Sequence, residues 1–297
     1  MHVSIVLNDM HRTHEAVYGF RSWMLQDTDT PYEVILNLFN DQAPLFETLA
    51  QGRSPTCQYR IHSYRPPEFF NISAANNLGL AQSTGKYVIF SNSDVIYPSH
   101  YLSTLIGELA RRNLFYVQGS RVNLLPKVTA ALPPASALTN FDSLFDRGGY
   151  QGGGNSCWTI RRDIALQLGG FDAKVLCHED SDLNMRAIHY LCRKGLQSIT
   201  YSTADLLSFH LHHSASELYT VSQQSRSILE PRRDRLQKDP QSEEDIVATD
   251  LGSPDLLLRD LYDTVAPPAT VRGKRLGGAI RRRLRGTLRY FLHGEPR

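Results

Sequence analysis

The chain has 297 residues, of which 41% are hydrophobic and 21% charged, with a formal net charge of +2. This composition is typical of a soluble globular protein: no apolar run approaches the roughly 20 residues of a membrane span, and the first residues lack the charged start of a signal peptide. The four cysteines, Cys57, Cys157, Cys177 and Cys192, include no CxxC pair, which favours a reducing cytosol over a disulfide framework or structural zinc.

The first part of the chain alternates between predicted strands and predicted helices. Apolar runs predict strands at residues 2–7, 33–38, 57–61, 87–94 and 114–117. Apolar residues at helical spacing predict helices at residues 12–26, 43–49, 71–81 and 98–111. This alternation predicts an α/β fold with a mostly parallel central sheet and helices on both faces.

The second part of the chain is less regular. Residues 125–154 are irregular, and we expect a variable stretch of this kind on a rigid scaffold to carry binding specificity. Within them, residues 148–154 are rich in glycine and predict a flexible loop, either close to a ligand or simply a turn. Beyond this stretch the pattern predicts a strand at 156–160 and helices at 162–168 and 180–193.

The composition also predicts three segments along the chain. Residues 1–215 form the main domain, residues 216–265 a polar helical extension, and residues 266–297 a linker followed by a basic tail helix. The tail is the most unusual of the three in charge. Residues 271–292 contain eight basic residues and no acidic one. Subtracting this charge of +8 from the net charge of +2 leaves −6 for the rest of the chain.

Two acidic sites stand out in the main domain. One predicted strand runs directly into Asp94, and ligands bind at the carboxyl edge of open α/β sheets, where Mg²⁺ or Mn²⁺ bridging a diphosphate needs a hard oxygen ligand. The second site, Glu179 and Asp180, lies at the start of a predicted helix, and Asp182 with Arg186 forms an i,i+4 pair that we interpret as structural. A turn carboxylate at Asp94 and an acid favoured by the helix dipole at Asp180 are the structural alternatives.

Five short runs of sequence, in this order and spacing, resemble the family 2 glycosyltransferases of the GT-A fold. They are VSIVL at 3–7, NISAANNLGL at 71–80, GKYVIFSNSD at 85–94, GGFD at 169–172 and EDSDLNMR at 179–186. The resemblance covers about residues 3–213. It implies a GT-A fold with a C-terminal helical extension and an inverting transfer from a nucleotide-diphosphate sugar.

The resemblance also implies roles for particular residues. A D-x-D element in the family binds the divalent cation and the sugar nucleotide, and this role passes to Asn92 and Asp94. An E-D element supplies the base, a role that passes to Glu179 and Asp180, with Asp180 as the general base. His210 best matches a metal-binding or phosphate-binding histidine of related enzymes, so we expect Mg²⁺ or Mn²⁺ on Asp94 and His210.

The donor, with UDP as the expected nucleotide, is implied to contact further polar residues near the ends of predicted elements. These are Asn8, Asn37, Asp41, Asn76 and Ser93, in addition to the D-x-D positions. The chain departs from the family pattern in two of these places. Asn8, Asp9 and Met10 stand where a Pro-Thr-Tyr-like turn is usual, and Asn37, Asn40 and Asp41 are the nearest substitutes for the acid that contacts the base.

Three histidines, His210, His212 and His213, follow the last predicted strand of the main domain. Alternation along an extended segment predicts that His210 and His212 face one side and His213 the other. Zinc held by histidine alone is not expected, because no cysteine or third helical histidine completes a tetrahedral set.

The basic tail has the pattern of an interfacial helix. Leu276, Ile280, Leu284 and Leu288 recur at helical spacing among the arginines. We expect the tail to bind an anionic membrane surface, with an oligomerisation helix as the alternative. Nucleic acid is not an expected partner, because the arginines occupy one short helix with little aromatic interleaving and the rest of the chain is acidic.

Together these features predict a metal-dependent inverting glycosyltransferase acting on a saccharide or lipid-linked acceptor in cell-surface polysaccharide synthesis. Its expected location is cytoplasmic, peripheral on the inner face of the membrane. A sugar nucleotidylyltransferase is one alternative, but residues 8–12 contain no glycine for a phosphate loop. A catalytically silent homologue that scaffolds a membrane glycan complex is another; Asn92 favours it and the intact Glu179–Asp180 pair disfavours it.

Overall fold

The computed structural model describes residues 2–139, 141–142, 150–199, 206–213, 222–239 and 254–263. These residues all belong to one unit, Met1–Ala266, and a second unit, Pro267–Arg297, lies outside them. The predicted tail helix therefore falls outside the described residues. The predicted domain boundary after residue 215 stays a prediction.

The described strands are named in chain order. They are β1 Val3–Asp9, β2 Tyr32–Leu38, β3 Cys57–Ser63, β4 Tyr87–Ser91, β5 Val95–Ile96, β6 Tyr116–Leu124, β7 Tyr150–Arg161, β8 Ser198–Ile199 and β9 Leu207–His210. The helices are α1 Thr13–Met24, α2 Ala43–Leu49, α3 Ile72–Gln82, α4 Tyr101–Arg111, α5 Pro126–Ala130, α6 Arg162–Gln167, α7 Glu179–Arg193, α8 Ser222–Lys238 and α9 Pro254–Asp263. Each strand and helix predicted between residues 2 and 193 has a counterpart among them.

The strands of this part of the chain form one mixed sheet in the order β3-β2-β1-β4-β7-β6-β9-β5, and β8 pairs with β6. The first four strands are parallel, and β6 runs parallel to β8 and β9. Strand β7 is antiparallel to both of its neighbours, β4 and β6. The prediction of a mostly parallel sheet is confirmed, with β7 and the short strand β5 running in the opposite direction.

Helices cover both faces of the sheet, as the sequence predicts. Side chains of β1 alternate between two apolar clusters, with Val3, Ile5 and Leu7 in one and Val6 in the other. The first cluster contains residues of α1, α2 and α4, and the second contains residues of α3, α6 and α7. Because both faces are buried, β1 and β2 read as continuous apolar runs instead of alternating ones.

The predicted flexible loop at 148–154 is wrong from residue 150 onward. Residues 150–154 belong to β7, which pairs with β6 through two irregularities in register. At Gly153 a Cβ would lie 2.7 Å from the backbone oxygen of Arg121. The glycine therefore permits close approach of two strands, which sequence alone does not distinguish from loop flexibility. Residues 148 and 149 lie outside the described part.

Three smaller corrections concern element ends. The strand predicted to run into Asp94 stops at Ser91, and the strand predicted at 114–117 continues to Leu124. The stretch expected to be irregular contains the short helix α5. None of the described helices is long and apolar enough to cross a lipid bilayer.

The helices that follow β9 pack on the main domain. Arg232 of α8 bonds to Asp172 and Asp182, and the hydroxyl of Tyr262 in α9 donates to the backbone oxygen of Arg65. Residues 240–253, between α8 and α9, lie outside the described part. The helical character predicted for the extension is thus present in both α8 and α9.

Candidate functional site

Asp94 lies in a turn between β4 and β5. Strand β4 ends at Ser91 and β5 begins at Val95. Helix α1 packs against this turn at Gly19, where a Cβ would lie only 2.2 Å from the backbone oxygen of Ser93. A residue without a side chain is therefore required at this contact. The close approach lets α1 support the turn that carries Asp94.

Trp23 of α1 contacts residues on both sides of the turn that contains Asp94. Its ring stacks on Tyr97 with 4.1 Å between centroids, and its Nε1–H donates to the hydroxyl of Ser91 at 2.9 Å. Aromatic pairs of this kind contribute about 0.5–1.5 kcal/mol beyond their buried area. Asp94 is consequently held on a packed support and is only 6% exposed.

Strand pairing brings the histidines to Asp94. Strands β5 and β9 are antiparallel, with Val95 opposite His210, and the N–H of Leu211 donates to the backbone oxygen of Asp94 at 2.9 Å. The chain leaves β9 at His210. From Oδ2 of Asp94, Nε2 of His213 is 3.1 Å away and Nε2 of His210 is 3.5 Å away.

These three atoms have the geometry of a metal-binding face. The two Nε2 atoms of His210 and His213 are 3.2 Å apart, which completes a triangle with the carboxylate oxygen. Neighbouring ligands around an octahedral ion with bonds of about 2.1 Å lie roughly 3.0 Å apart, close to these spacings. Two histidines and one carboxylate suit a first-row divalent metal. Oδ1 of Asp94 is buried and has no hydrogen-bond partner among the described residues, so a second oxygen is also available.

The surroundings of Asp94 favour its ionised form. Burial by itself would raise the pKa of Asp94, but hydrogen bonds with His210 and His213 and the positive charge of Arg12 hold that pKa well below its usual range. A carboxylate that stays ionised at all physiological pH values is the form that binds a cation.

Arg12 enters the same cluster from the loop between β1 and α1. Its Nη1 lies 2.5 Å from Oδ2 of Asp94 and 3.0 Å from Nε2 of His213. The backbone of the loop is held by Asp9, whose carboxylate accepts from the N–H of Arg12 at 3.0 Å and from the hydroxyl of Thr13 at 2.8 Å. The cluster therefore contains a positively charged side chain that the motifs did not indicate.

The predicted alternation of the histidines is wrong. His210 and His213 both face Asp94, whereas His212 is exposed and its backbone N–H donates to the hydroxyl of Thr129. Alternation requires an extended strand, and β9 ends at His210. The expected pair, Asp94 and His210, is brought together, and His213 joins it.

Three predicted donor-binding asparagines bond to one another. The amide of Asn37 donates to Asn8 at 3.0 Å, and the amide of Asn8 donates to Asn76 at 2.7 Å. The chain of amides crosses from β2 through β1 to α3, and all three residues are buried. Hydrogen bonds among buried amides stabilise the packing of α3 on the sheet. Oδ1 of Asn37 is buried without a hydrogen-bond partner among the described residues.

The remaining predicted donor-binding residues are separate from this chain of amides. Asn92 and Ser93 are half-buried in the turn that precedes Asp94. Asp41 is exposed and accepts from the side chain of its neighbour Gln42 at 2.8 Å. Their contacts with a donor stay predictions.

The acidic pair lies at the beginning of α7. Glu179 and Asp180 form its first turn, where the helix dipole favours negative charge. His178, immediately before them, has φ of 66°, in the left-handed region that is costly for residues with a Cβ. Its ring nitrogen Nε2 is 3.1 Å from the hydroxyl of Ser222 in α8. This left-handed residue ends the preceding loop and determines the direction in which α7 begins.

The raised pKa at this site belongs to Glu179. Burial and the neighbouring Asp180 carboxylate raise the pKa of Glu179 to about 8. The assignment of Asp180 as the general base stays a prediction. Burial and then the charge of Asp180 also raise the pKa of Tyr116, whose buried hydroxyl has no hydrogen-bond partner among the described residues. Tyr116 is therefore a further polar group within electrostatic range of the pair.

Helix α3 holds the loop that leads to the acidic pair. Asn77 donates to the backbone oxygen of Phe171 at 2.8 Å and accepts from its N–H at 2.7 Å. The hydroxyl of Ser73 donates to the backbone oxygen of Val175 at 2.7 Å. These polar residues of the NISAANNLGL run thus have a positioning role that the sequence analysis did not anticipate.

Helix α8 holds the same loop and the start of α7. The hydroxyl of Ser225 accepts from the N–H of Cys177 at 2.9 Å. Arg232 bonds to Asp172 at 2.7 Å and also to Asp182, which in turn pairs with Arg186 at 2.8 Å. The predicted Asp182–Arg186 pair is confirmed, and it is part of a larger buried network that includes α8.

Two site groups, Arg12 and Tyr116, were not found from the sequence, and a third, His213, was named but predicted to face away from His210. Each lies far along the chain from the carboxylate it neighbours. Arg12 had a weak signal, a basic residue between a strand end and a helix start. Tyr116 had none, because it reads as an ordinary apolar strand position.

The sheet order and the solved structures that match this chain identify a GT-A fold. Residues 1–349 of TarS from S. aureus, solved with UDP-GlcNAc, match with a TM-score of 0.55 and 12% identity, over 82% of this chain and 68% of that chain. The mannosyltransferase PcManGT from Pyrobaculum calidifontis, solved with GDP-Man and Mn²⁺, matches with a TM-score of 0.50 and 13% identity, over 98% and 81%. These identities establish a shared fold.

The match to the larger structure of S. aureus TarS has a TM-score of 0.53 and 13% identity over 88% of this chain. This chain spans 43% of the length of that protein. The fold correspondence therefore concerns one part of TarS.

Residues 45–167 match the model of Glycosyl transferase family 2. This match confirms the resemblance predicted from the five motifs. The matched segment contains Asp94 and ends before the acidic pair and the histidines, so the structure alone brings those groups into the description of the site. No functionally curated protein matches the sequence.

Proposed function

We propose that this chain is an inverting glycosyltransferase that moves a sugar from a nucleotide-diphosphate sugar to a saccharide or lipid-linked acceptor. The observation that carries the proposal is the triangle of ligand atoms from Asp94, in the turn after β4, and from His210 and His213, at and just after the end of β9. The GT-A fold and the family 2 segment support the reaction class.

The donor end of the reaction is assigned to this triangle. When bound there, Mg²⁺ or Mn²⁺ supplies charge neutralisation for the departing diphosphate. Asp94 contributes the ionised oxygen, and His210 and His213 contribute neutral nitrogen ligands. Asn92 and Ser93 precede Asp94 in the same turn and are proposed to contact the nucleotide sugar, with UDP as the expected nucleotide.

The acceptor end is assigned to the acidic pair. At pH 7 Glu179 holds a proton, because its pKa is about 8. Asp180 is then the member of the pair that accepts the proton of the attacking hydroxyl, since a bound proton on Glu179 relieves the repulsion between them. Direct attack on the anomeric carbon, with departure of the nucleoside diphosphate from the opposite side, inverts the centre.

The first test is a thermal-shift panel of UDP, GDP, CDP and dTDP, each with and without Mn²⁺. Ligands that bind the native state raise the melting temperature by mass action. We expect metal-dependent stabilisation by one nucleotide in the wild type and in Asp29→Ala, an exposed acid that serves as the matched control. The shift should disappear in Asp94→Ala.

Stabilisation that persists in Asp94→Ala would remove the assigned donor site. If no nucleotide stabilised the wild type, the chain would fit a catalytically silent scaffold better than an enzyme.

The base assignment is tested by substituting each member of the pair. Asp180→Asn should lower kcat by about 10²–10⁴-fold, the usual contribution of a general base. Glu179→Gln keeps a neutral side chain like the protonated acid and should retain most of the activity at pH 7. The reverse order of effects would assign the base to Glu179.

Membrane attachment through residues 266–297 remains part of the proposal. The eight basic residues at 271–292 and the apolar residues between them support binding to an anionic surface. Flotation with anionic and with neutral liposomes, using the full chain and a chain lacking residues 271–297, measures this directly. Equal flotation of both chains would exclude the tail as the attachment site.

A further inference from the structure

Arg12 contacts two of the three atoms that form the metal-binding face. Its Nη1 is 2.5 Å from Oδ2 of Asp94 and 3.0 Å from Nε2 of His213. The side chain is 32% exposed, so it reaches the cluster from its open side. The contact is therefore one that can be exchanged without unpacking the core.

The chemistry of these contacts makes Arg12 and a metal competitors. A guanidinium group has only donors, and Nη1 of Arg12 lies against the same two atoms, Oδ2 of Asp94 and Nε2 of His213, that a metal on this face would coordinate. A metal bound at Nε2 of His213 needs the single lone pair of that nitrogen, and a positively charged guanidinium 3.0 Å away both occupies that space and repels a divalent cation. A metal on Oδ2 of Asp94 would also replace the charge-assisted hydrogen bond from Arg12.

Once it is displaced from Asp94, the guanidinium of Arg12 has no anionic partner. A guanidinium that has lost a carboxylate partner pairs well with phosphate oxygens, which match its fork of N–H groups. On the proposed function, the diphosphate of the donor arrives at this same cluster. Diphosphate binding and metal binding would then favour each other, because the diphosphate gives Arg12 its new partner.

We propose that the guanidinium of Arg12 occupies the Asp94–His210–His213 cluster when no metal is bound. A divalent metal displaces this guanidinium, which then binds the donor diphosphate. This inference rests on the proposed function. It assigns to Arg12 the coupling between metal and donor binding, so that the metal binds weakly alone and tightly with a diphosphate. Such a device limits occupation of the site by metal in the absence of donor.

The test measures Mn²⁺ binding by electron paramagnetic resonance and calorimetry, with and without inorganic pyrophosphate. Arg12→Met removes the guanidinium while retaining an unbranched side chain and the backbone N–H bond to Asp9. We expect Arg12→Met to bind Mn²⁺ alone roughly tenfold more tightly than the wild type, within the usual range of coupling between sites. Pyrophosphate should tighten Mn²⁺ binding in the wild type and much less in Arg12→Met.

Two further variants complete the test. Arg111→Met is the matched control, because this arginine side chain is 69% exposed and pairs with Glu108 of its own helix; it should bind Mn²⁺ as the wild type does. Arg12→Lys keeps the charge without the planar fork, and its Mn²⁺ affinity should fall between the wild type and Arg12→Met. Melting curves establish that each variant is folded.

The failures of the two proposals are distinguishable. If Asp94→Ala abolishes Mn²⁺ binding while Arg12→Met binds Mn²⁺ no more tightly than the wild type, the metal site stands and the role of Arg12 is overturned. If Mn²⁺ binding is insensitive to Asp94→Ala, the proposed donor site fails and this inference fails with it.

Discussion

Two carboxylate sites of this protein have opposite electrostatic environments. Asp94 has two histidines and an arginine around it, and its pKa is held well below the usual range. Glu179 has another carboxylate beside it, and burial and that charge raise its pKa to about 8. Two carboxyl groups thus differ in charge near neutral pH: Asp94 is ionised, and Glu179 is protonated. Opposite shifts of this kind fit the proposed division between cation binding at Asp94 and acid–base chemistry at the Glu179–Asp180 pair.

The largest expected effect comes from neutralising Asp94. Asp94→Asn preserves the shape of the side chain but removes its charge, so the metal-binding face loses its only anionic ligand among the described residues. Loss of charge neutralisation at the leaving group is expected to lower kcat/KM by about 10³-fold or more. Release of the nucleoside diphosphate, followed continuously, measures this, with Asp29→Asn as the exposed control. A decrease of less than tenfold would show that Asp94 is not the anion of the donor site.

The next effect concerns the helix that supports the acidic pair. Arg232→Met leaves the buried Asp172 and Asp182 without one of their cationic partners, and breaking a buried ion pair costs about 3–5 kcal/mol. Urea denaturation measures the free energy of unfolding. Arg233→Met, an exposed arginine on the same helix, should change it little. If the two variants were equally stable, α8 would not anchor the start of α7 through this network.

The variant Glu179→Gln tests the contrast between the two carboxylate sites through the pH dependence of the free energy of unfolding. The folded chain keeps the proton of Glu179 up to about pH 8, whereas an unperturbed glutamic acid releases it near pH 4.5. Between these values the folded state binds more protons than the unfolded state, so wild-type stability falls as pH rises. Glu179→Gln does not titrate, and its stability relative to the wild type should increase by a few kcal/mol from pH 5 to pH 9.

Denaturant unfolding at pH 5, 7 and 9 gives this difference. Glu230→Gln, an exposed glutamate on α8, is the control and should show no such trend. A constant difference between Glu179→Gln and the wild type at all three values would contradict the raised pKa.

The smallest effect tests the backbone that directs α7. His178 has φ of 66°, a conformation that glycine adopts freely. His178→Gly and His178→Ala both lose the contact with Ser222, so their difference isolates the backbone. We expect the glycine variant to be more stable than the alanine variant by about 1 kcal/mol in thermal unfolding. Equal stabilities would mean that the loop relaxes and the conformation is not imposed.

Much of the fold followed from local pattern. Buried parallel strands leave continuous apolar runs, and β1, β2 and β4 were predicted for that reason. Helix α3 has a clear start at Asn71, whose side chain accepts from the N–H of Ala74 at 3.1 Å. Asp94 and the Glu179–Asp180 pair were also found, because a carboxylate after a strand and an acid pair before a helix are visible within a few residues.

Other features could not be found in this way. The glycines at 152–154 lie in β7 because a second strand approaches them, and a run of glycines by itself reads as a loop. Asn8, Asn37 and Asn76 were predicted to bind the donor, yet in the structure Asn8 hydrogen-bonds to both Asn37 and Asn76. The partners that decide such cases are tens of residues away along the chain.

By itself the sequence determined the alternation of strands and helices, the position of Asp94 and the presence of an acidic pair. Periodicity and end signals are short-range properties, and they survive in a single chain. The tertiary structure decided which groups surround each carboxylate: Arg12 and His213 at Asp94, and burial beside Asp180 at Glu179. The charge state of a carboxylate depends on solvent exclusion and on charges within a few ångströms, and only folding brings those together.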